Sequence, residues 1–204
     1  MPTLDIGFDA MLPTWPNAGR IAILDLEYTA WEGSAQRCWS EPWEWREIVQ
    51  IGMVLVDAQT FTVQQGFEVL VRPERNPVLS GYFVALTGIT QERMECEAVS
   101  FNAALHAVTP LGDAVECILF NGNDGQILRE NCAFHGITAP WADSRMFNFR
   151  PLLAVSLKRQ PGELTSSDLP ALAGIHVAGH SHSALHDCQS IAGAFAAWRN
   201  AGLI

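Results

Sequence analysis

The stretch IAILDLEYTA, Ile21–Ala30, constrains the fold more than any other part of this chain. Its aliphatic run reads as a buried β-strand, yet it carries two carboxylates, Asp25 and Glu27. Side chains alternate along a strand, so both acids project to the same side. Like charges so placed repel each other, and burying either one without a partner is costly. A fold that accepts this strand must bring compensating positive charge to its acidic side.

The rest of the chain reads as one α/β domain over residues 20–204, preceded by a polar, Pro-containing arm at 1–19. At 204 residues and 49% hydrophobic content it has enough apolar material for a sizeable core. EIVQIGMVLVDAQT and QQGFEVLVRP read as second and third strands with a turn between them. SFNAALHAVTPL, with Ser100 as a cap, reads as a helix, AVECILF as a fourth strand and DGQILRENCAFHG as a second helix. A fifth strand is expected near residues 145–149, and PLLAVSLKR, SSDLPALAG and HSALHDCQSIAGAFAAWRN read as closing helices. Three strands in succession, then helix and strand in alternation, predict a mixed sheet with an antiparallel portion.

Charge limits the function classes. Twelve basic against twenty-two acidic residues give a net charge of −10, which excludes a broad basic surface for coating duplex nucleic acid. A small site holding cations and gripping a few phosphates remains compatible with that balance. The five cysteines are scattered and odd in number, which argues against a disulfide framework or zinc ribbon and for a reducing compartment. No apolar run approaches membrane-spanning length and the first residues lack a basic leader, so a cytoplasmic protein without a membrane partner is expected.

Two further acids and a histidine stand out. Asp124 follows an apolar strand and opens a helix, where Asp is a favoured cap. Asp187 lies five residues after His182, and each by itself reads as an ordinary surface position. Together with Asp25 and Glu27 they describe phosphodiester hydrolysis, in which carboxylates converge on paired divalent ions and a neutral imidazole accepts a proton. Metal charge would then be what allows Asp25 and Glu27 to share one side of a strand. The loop TAWEGSAQRCWSEPWEW holds four of the seven tryptophans, Trp31, Trp39, Trp43 and Trp45. It reads either as a loop pinned to the core by its rings or as a lid whose rings stack on bases.

DLE on a first strand, an Asp opening a central helix and His182-x₄-Asp187 resemble the DEDDh, DnaQ-like 3′–5′ exonucleases. VRPERNPVLS followed by LTGITQ is similar to the branch holding the histone-mRNA and small-interfering-RNA 3′ exonucleases and the sporulation-inhibitor-like proteins. The resemblance implies a ribonuclease H-like, three-layer α/β fold with a mixed five-stranded sheet flanked by helices. It implies Asp25, Glu27, Asp124 and Asp187 as ligands for two Mg²⁺ or Mn²⁺ ions and as catalytic groups, with His182 as general base. It points to Leu26, Thr29, Leu86 and Thr87 as contacts to the terminal nucleotide. The implied partner is single-stranded nucleic acid with a free 3′ end, RNA before DNA, cut to nucleoside 5′-monophosphates.

Three positions depart from the branch pattern. Asn121 stands where a Trp is usual, and one residue fewer separates Gly122 from Asp124; His186 replaces an Asp, and His180 an Arg. Two other readings stay open. His180, His182 and His186 offer imidazoles for zinc, although Ala184 stands where a zinc-hydrolase motif needs Asp. The same fold could also serve as a module that binds a nucleic-acid 3′ end or a protein without cutting.

Overall fold

The computed structural model describes residues 18–179 and 181–202. Almost all of the expected arm at 1–19, and His180, lie outside them. Five strands form one sheet in the order β3-β2-β1-β4-β5: β1 Arg20–Tyr28, β2 Ile48–Asp57, β3 Val63–Leu70, β4 Ile118–Phe120 and β5 Met146–Asn148. β1, β2 and β3 pair antiparallel, whereas β4 and β5 run parallel to β1. This is the mixed five-stranded sheet that the sequence predicts. The turn between β2 and β3 closes on Asp57, whose Oδ1 accepts from the Gln59 and Thr60 amides at 3.0 and 2.9 Å.

Helices cover both faces because β1 is apolar on both. Ile21 and Ile23 face one cluster, with Val54, Phe149, Ile191 and Phe195; Ala22 and Leu24 face the other, with Phe101, Leu105, Ile127 and Leu128. The first cluster lies under α5 Arg150–Leu157, α6 Leu169–Leu172 and α7 Ala184–Asn200. The second lies under α3 Phe101–Asp113 and α4 Asp124–Phe134. Ser100 caps α3 as expected, its side chain accepting from the Ala103 amide.

Two segments depart from the sequence reading. Residues 81–97 form two seven-residue helices, α1 Gly81–Thr87 and α2 Gln91–Glu97, started by Ser80 and Thr90 caps and separated by Gly88 at φ 72°. They bury Phe83, Ile89 and Met94 in a third small cluster, and neither is long enough to display a helical period in sequence. SSDLPALAG yields only the four-residue α6, in which Pro170 occupies the first turn. Among the described residues no helix is long and apolar enough to cross a membrane.

Candidate active site

Asp25 and Glu27 stand near the C-terminal end of β1, on the face that packs against α7. Across the strand pair they oppose Gly52 and Gln50 of β2. Both neighbours serve the start of α7. The buried Gln50 side chain accepts from the Ala184 amide at 2.9 Å, which satisfies a donor that the helix itself leaves open. A Cβ on Gly52 would come within 2.3 Å of the Ala184 carbonyl carbon, so only glycine lets the helix start this close to the sheet. Asp187, one turn into α7, and His182, just before it, are thereby carried over the acidic side of β1.

His182 has a φ of 62°, a left-handed conformation that costs a non-glycine residue energy and persists where the surrounding structure demands it. Glu27, His182 and Asp187 each present one ligand atom within 4.8 Å of the other two. Asp124 is the first residue of α4 rather than its cap. Asn123 holds the cap position without a side-chain bond, and the buried Oδ2 of Asp124 has no hydrogen-bond partner among the described residues. Asp25, Glu27, Asp124, Asp187 and His182 all line one cavity of about 320 Å³.

The electrostatics are those of a site short of positive charge. Burial, then repulsion from Asp124, Glu27 and Asp187, holds the Asp25 carboxyl well above its ordinary range. Glu27 is raised by burial and by Asp187 and Asp124. Asp124 is pushed up to about 8 by burial, against the opposing pull of the Arg150 guanidinium. Asp187 is raised by burial, offset by its contact with His186.

A polar chain supports the acids from below. The Ser166 hydroxyl donates to Asp25 Oδ1 at 3.2 Å, and Asn121 Nδ2 reaches Ser166 Oγ at 3.2 Å and the Leu164 carbonyl at 2.9 Å. Arg150 Nε donates to Asn121 Oδ1 at 2.8 Å and its Nη2 to the Asn121 carbonyl at 3.1 Å. Gly122, at φ 95°, leaves room for that guanidinium, since a Cβ there would stand 2.5 Å from its carbon. Asn148 of β5 clamps the Gly122 peptide from both sides, at 3.0 and 2.8 Å. The asparagine that departs from the branch pattern is thus the hub of this chain. Arg150 and Ser166, which also line the cavity, carry no signal in sequence because their partners are far along the chain.

Of the expected substrate contacts, Leu26 and Leu86 line the cavity and Thr29 and Thr87 do not. The Thr29 hydroxyl donates to the Trp45 carbonyl and accepts from the Glu47 amide at 3.0 Å, fastening the tryptophan loop. The Thr87 hydroxyl closes the end of α1, donating to the Phe83 carbonyl at 2.9 Å and accepting from the Ile89 amide at 3.1 Å. Tyr28, Trp39 and Tyr82 supply aromatic walls instead. Tyr82 lies four residues before Leu86 on α1, the spacing that puts both on one helix face.

The loop at 31–45 is pinned rather than loose: Trp39 Nε1 donates to the Thr29 carbonyl at 3.0 Å, and Arg37 pairs with the buried Glu44. Of the three histidines offered for zinc, only His182 stands among grouped ligand atoms in the described residues. His186 directs its ring nitrogens to Asp187 Oδ1 and the Val177 carbonyl, at 3.4 and 3.5 Å, and His180 lies outside the described residues. Four buried carboxylates, one with an unpartnered oxygen, fit hard divalent cations, which prefer oxygen ligands.

Residues 22–195 match the family model described as Exonuclease (RNase_T). The mouse (Mus musculus) 3′-5′ exoribonuclease 1 is 28% identical over 182 residues, covering 84% of this chain and 50% of that protein. The 3′-5′ exonuclease Snipper of Drosophila melanogaster is 26% identical over 193 residues, covering 84% and 66%. The chain therefore spans about half the length of the mouse relative it matches. Among solved structures, the nuclease domain of 3′hExo, a DEDDh family member bound to rAMP, superposes with a TM-score of 0.76 at 24% identity, over 91% of this chain and 94% of that one. Cell-death related nuclease 4 (CRN-4) gives 0.72 at 18%, over 91% and 65%. The fold is that of these nucleases.

Proposed function

The chain belongs to the exonuclease family that the RNase_T model describes, and from that premise we propose that it is a metal-dependent 3′–5′ exonuclease. Its substrate is single-stranded nucleic acid with a free 3′ end, RNA before DNA, and its products are nucleoside 5′-monophosphates. The observation that carries this reading is the single cavity shared by Asp25, Glu27, Asp124, Asp187 and His182. Relatives named as exoribonucleases support the choice of RNA. The five free cysteines suit a reducing compartment such as the cytoplasm.

In this reading the four carboxylates would hold two Mg²⁺ or Mn²⁺ ions. When bound, such ions supply the charge that activates water and stabilises the leaving oxygen. The chain's own groups do the rest. His182 accepts the proton of the attacking water on a ring nitrogen. Ser166 fixes the Asp25 carboxylate by its hydrogen bond, and Gln50 fixes the start of the helix that carries Asp187. Leu26 and Leu86 bracket the terminal nucleotide, while Thr29 and Thr87 shape that pocket by holding the segments beside it.

The test uses oligonucleotides labelled at either end, incubated with Mn²⁺ and with wild type or Asp25→Asn. Stepwise shortening of the 5′-labelled strand, with immediate mononucleotide release from the 3′-labelled one, is expected for wild type and not for the variant. Binding without any shortening by wild type would make the protein a 3′-end-binding module instead.

A further inference from the structure

A second cavity, of about 340 Å³, is lined by Trp45, Arg46, Arg75, Glu130, Asn131 and Phe134, with Glu47 and Ala133 completing it. At its centre one guanidinium meets two aromatic rings. The Arg75 guanidinium carbon sits 3.4 Å from the centroid of the Trp45 ring and 4.2 Å from that of Phe134. Trp45 is 47% exposed, so part of an aromatic side chain is open to solvent beside a cation. Among the described residues no carboxylate forms an ion pair with Arg75. Glu47, which also lines the cavity, is committed elsewhere: its carboxylate accepts the amides of residues 74, 75 and 76 at 2.7 to 2.8 Å.

One side-chain contact joins the lining of this cavity to that of the catalytic one. Arg46 lines it, pairs with Glu130 at 2.5 Å and lies over the Trp39 ring at 5.8 Å. Trp39 in turn lines the catalytic cavity and packs against Tyr28 at 5.5 Å. A run of rings and guanidinium groups, Tyr28, Trp39, Arg46, Arg75 and Trp45, therefore leads from one cavity to the other. Planar rings and guanidinium planes stack on any base, and the guanidinium edge meets phosphate. In a chain of net charge −10, a local feature of this kind is what a polyanion needs beyond the catalytic cavity.

We propose that the Trp45–Arg75 cavity is a second subsite, which receives the nucleotides on the 5′ side of the 3′ end held in the catalytic cavity. The proposal rests on the exonuclease reading above and adds to it a dependence on substrate length. Because Arg46 is paired with Glu130, stacking carries more of this subsite's grip than phosphate attraction does.

The experiment measures binding of 5′-fluorescent dinucleotide and decanucleotide to Asp25→Asn protein, so that the readout is independent of cleavage. Arg75→Ala, Trp45→Ala and Trp45→Phe are then added to that background. The affinity gained on lengthening the strand is expected to shrink about tenfold with Arg75→Ala or Trp45→Ala and to return with Trp45→Phe. A loop-pinning role alone predicts equal losses at both lengths, and that result, or no loss at either, overturns the subsite. Arg75→Ala carries the test if Trp45→Ala lowers the melting temperature. Failure of the exonuclease reading shows separately, as wild-type protein that binds the decanucleotide and does not shorten it.

Discussion

Burial dominates the chemistry of individual residues here. Raised carboxyl pKa values mean that the folded, metal-free protein binds protons the unfolded chain does not. Asp124 titrates near 8 in the folded protein against 3.8 as a free side chain, so its stabilising protonation is complete below about pH 4 and is lost as the pH rises toward 8. The melting temperature in chelator should therefore fall between those limits, Mg²⁺ or Mn²⁺ should restore it near pH 8, and Asp124→Asn should flatten the fall. A chelated protein whose melting temperature is flat from pH 5 to 8 would contradict this. His182→Ala is expected to lower kcat by roughly 10²–10⁴-fold with little change in KM. Equal losses of binding and turnover would argue against proton transfer. Asp25 and Glu27 were legible in sequence because carboxylates in an apolar strand are conspicuous, whereas Asp124, Asp187 and His182 each read as ordinary positions and joined them only through the family resemblance. Asn121, Ser166 and Arg150 were not legible, since the bond from Ser166 to Asp25 joins residues 141 positions apart.

Elements set the precision of the site. The contact of α7 with β2 depends on Gly52, and Gly52→Ala would force the Ala184–Leu185 backbone to move, because backbone atoms cannot yield as a flexible side chain would. A loss of about 1–3 kcal/mol is expected from overpacking, measured by urea denaturation. Turnover should fall by about 10²-fold as His182 and Asp187 shift with the helix. Gly81, where a Cβ would meet nothing within 4 Å, gives the matched control as Gly81→Ala. Gln50→Leu leaves the Ala184 amide without its acceptor and should cost about 1–3 kcal/mol. Strands β1 to β3 were readable from their apolar runs and the turn at Asp57. Helices α1 and α2 were not, because seven residues hold too few turns for a period to emerge and only their caps mark them.

At the scale of the whole molecule, net charge and cavity shape act together. A chain of net charge −10 offers no broad basic face to duplex, so a single strand should be degraded faster than a blunt duplex of the same sequence, as read by gel. Equal rates would mean that the protein opens or grips duplex by a surface not described above. The sequence by itself determined that one strand carries two acids on one side, that two more acids and a histidine follow at helix starts, and that the sheet is mixed. Periodicity and residue type are local properties and survive in one dimension. Tertiary structure alone decided that α7 crosses Gly52 closely enough to bring His182 and Asp187 to Glu27. It also decided that Asn121 links Arg150 to Ser166 and that the tryptophan loop lays Trp45 against Arg75. Each of these is a meeting of side chains from distant segments, fixed by sheet register and helix packing, and no local pattern encodes such a distance.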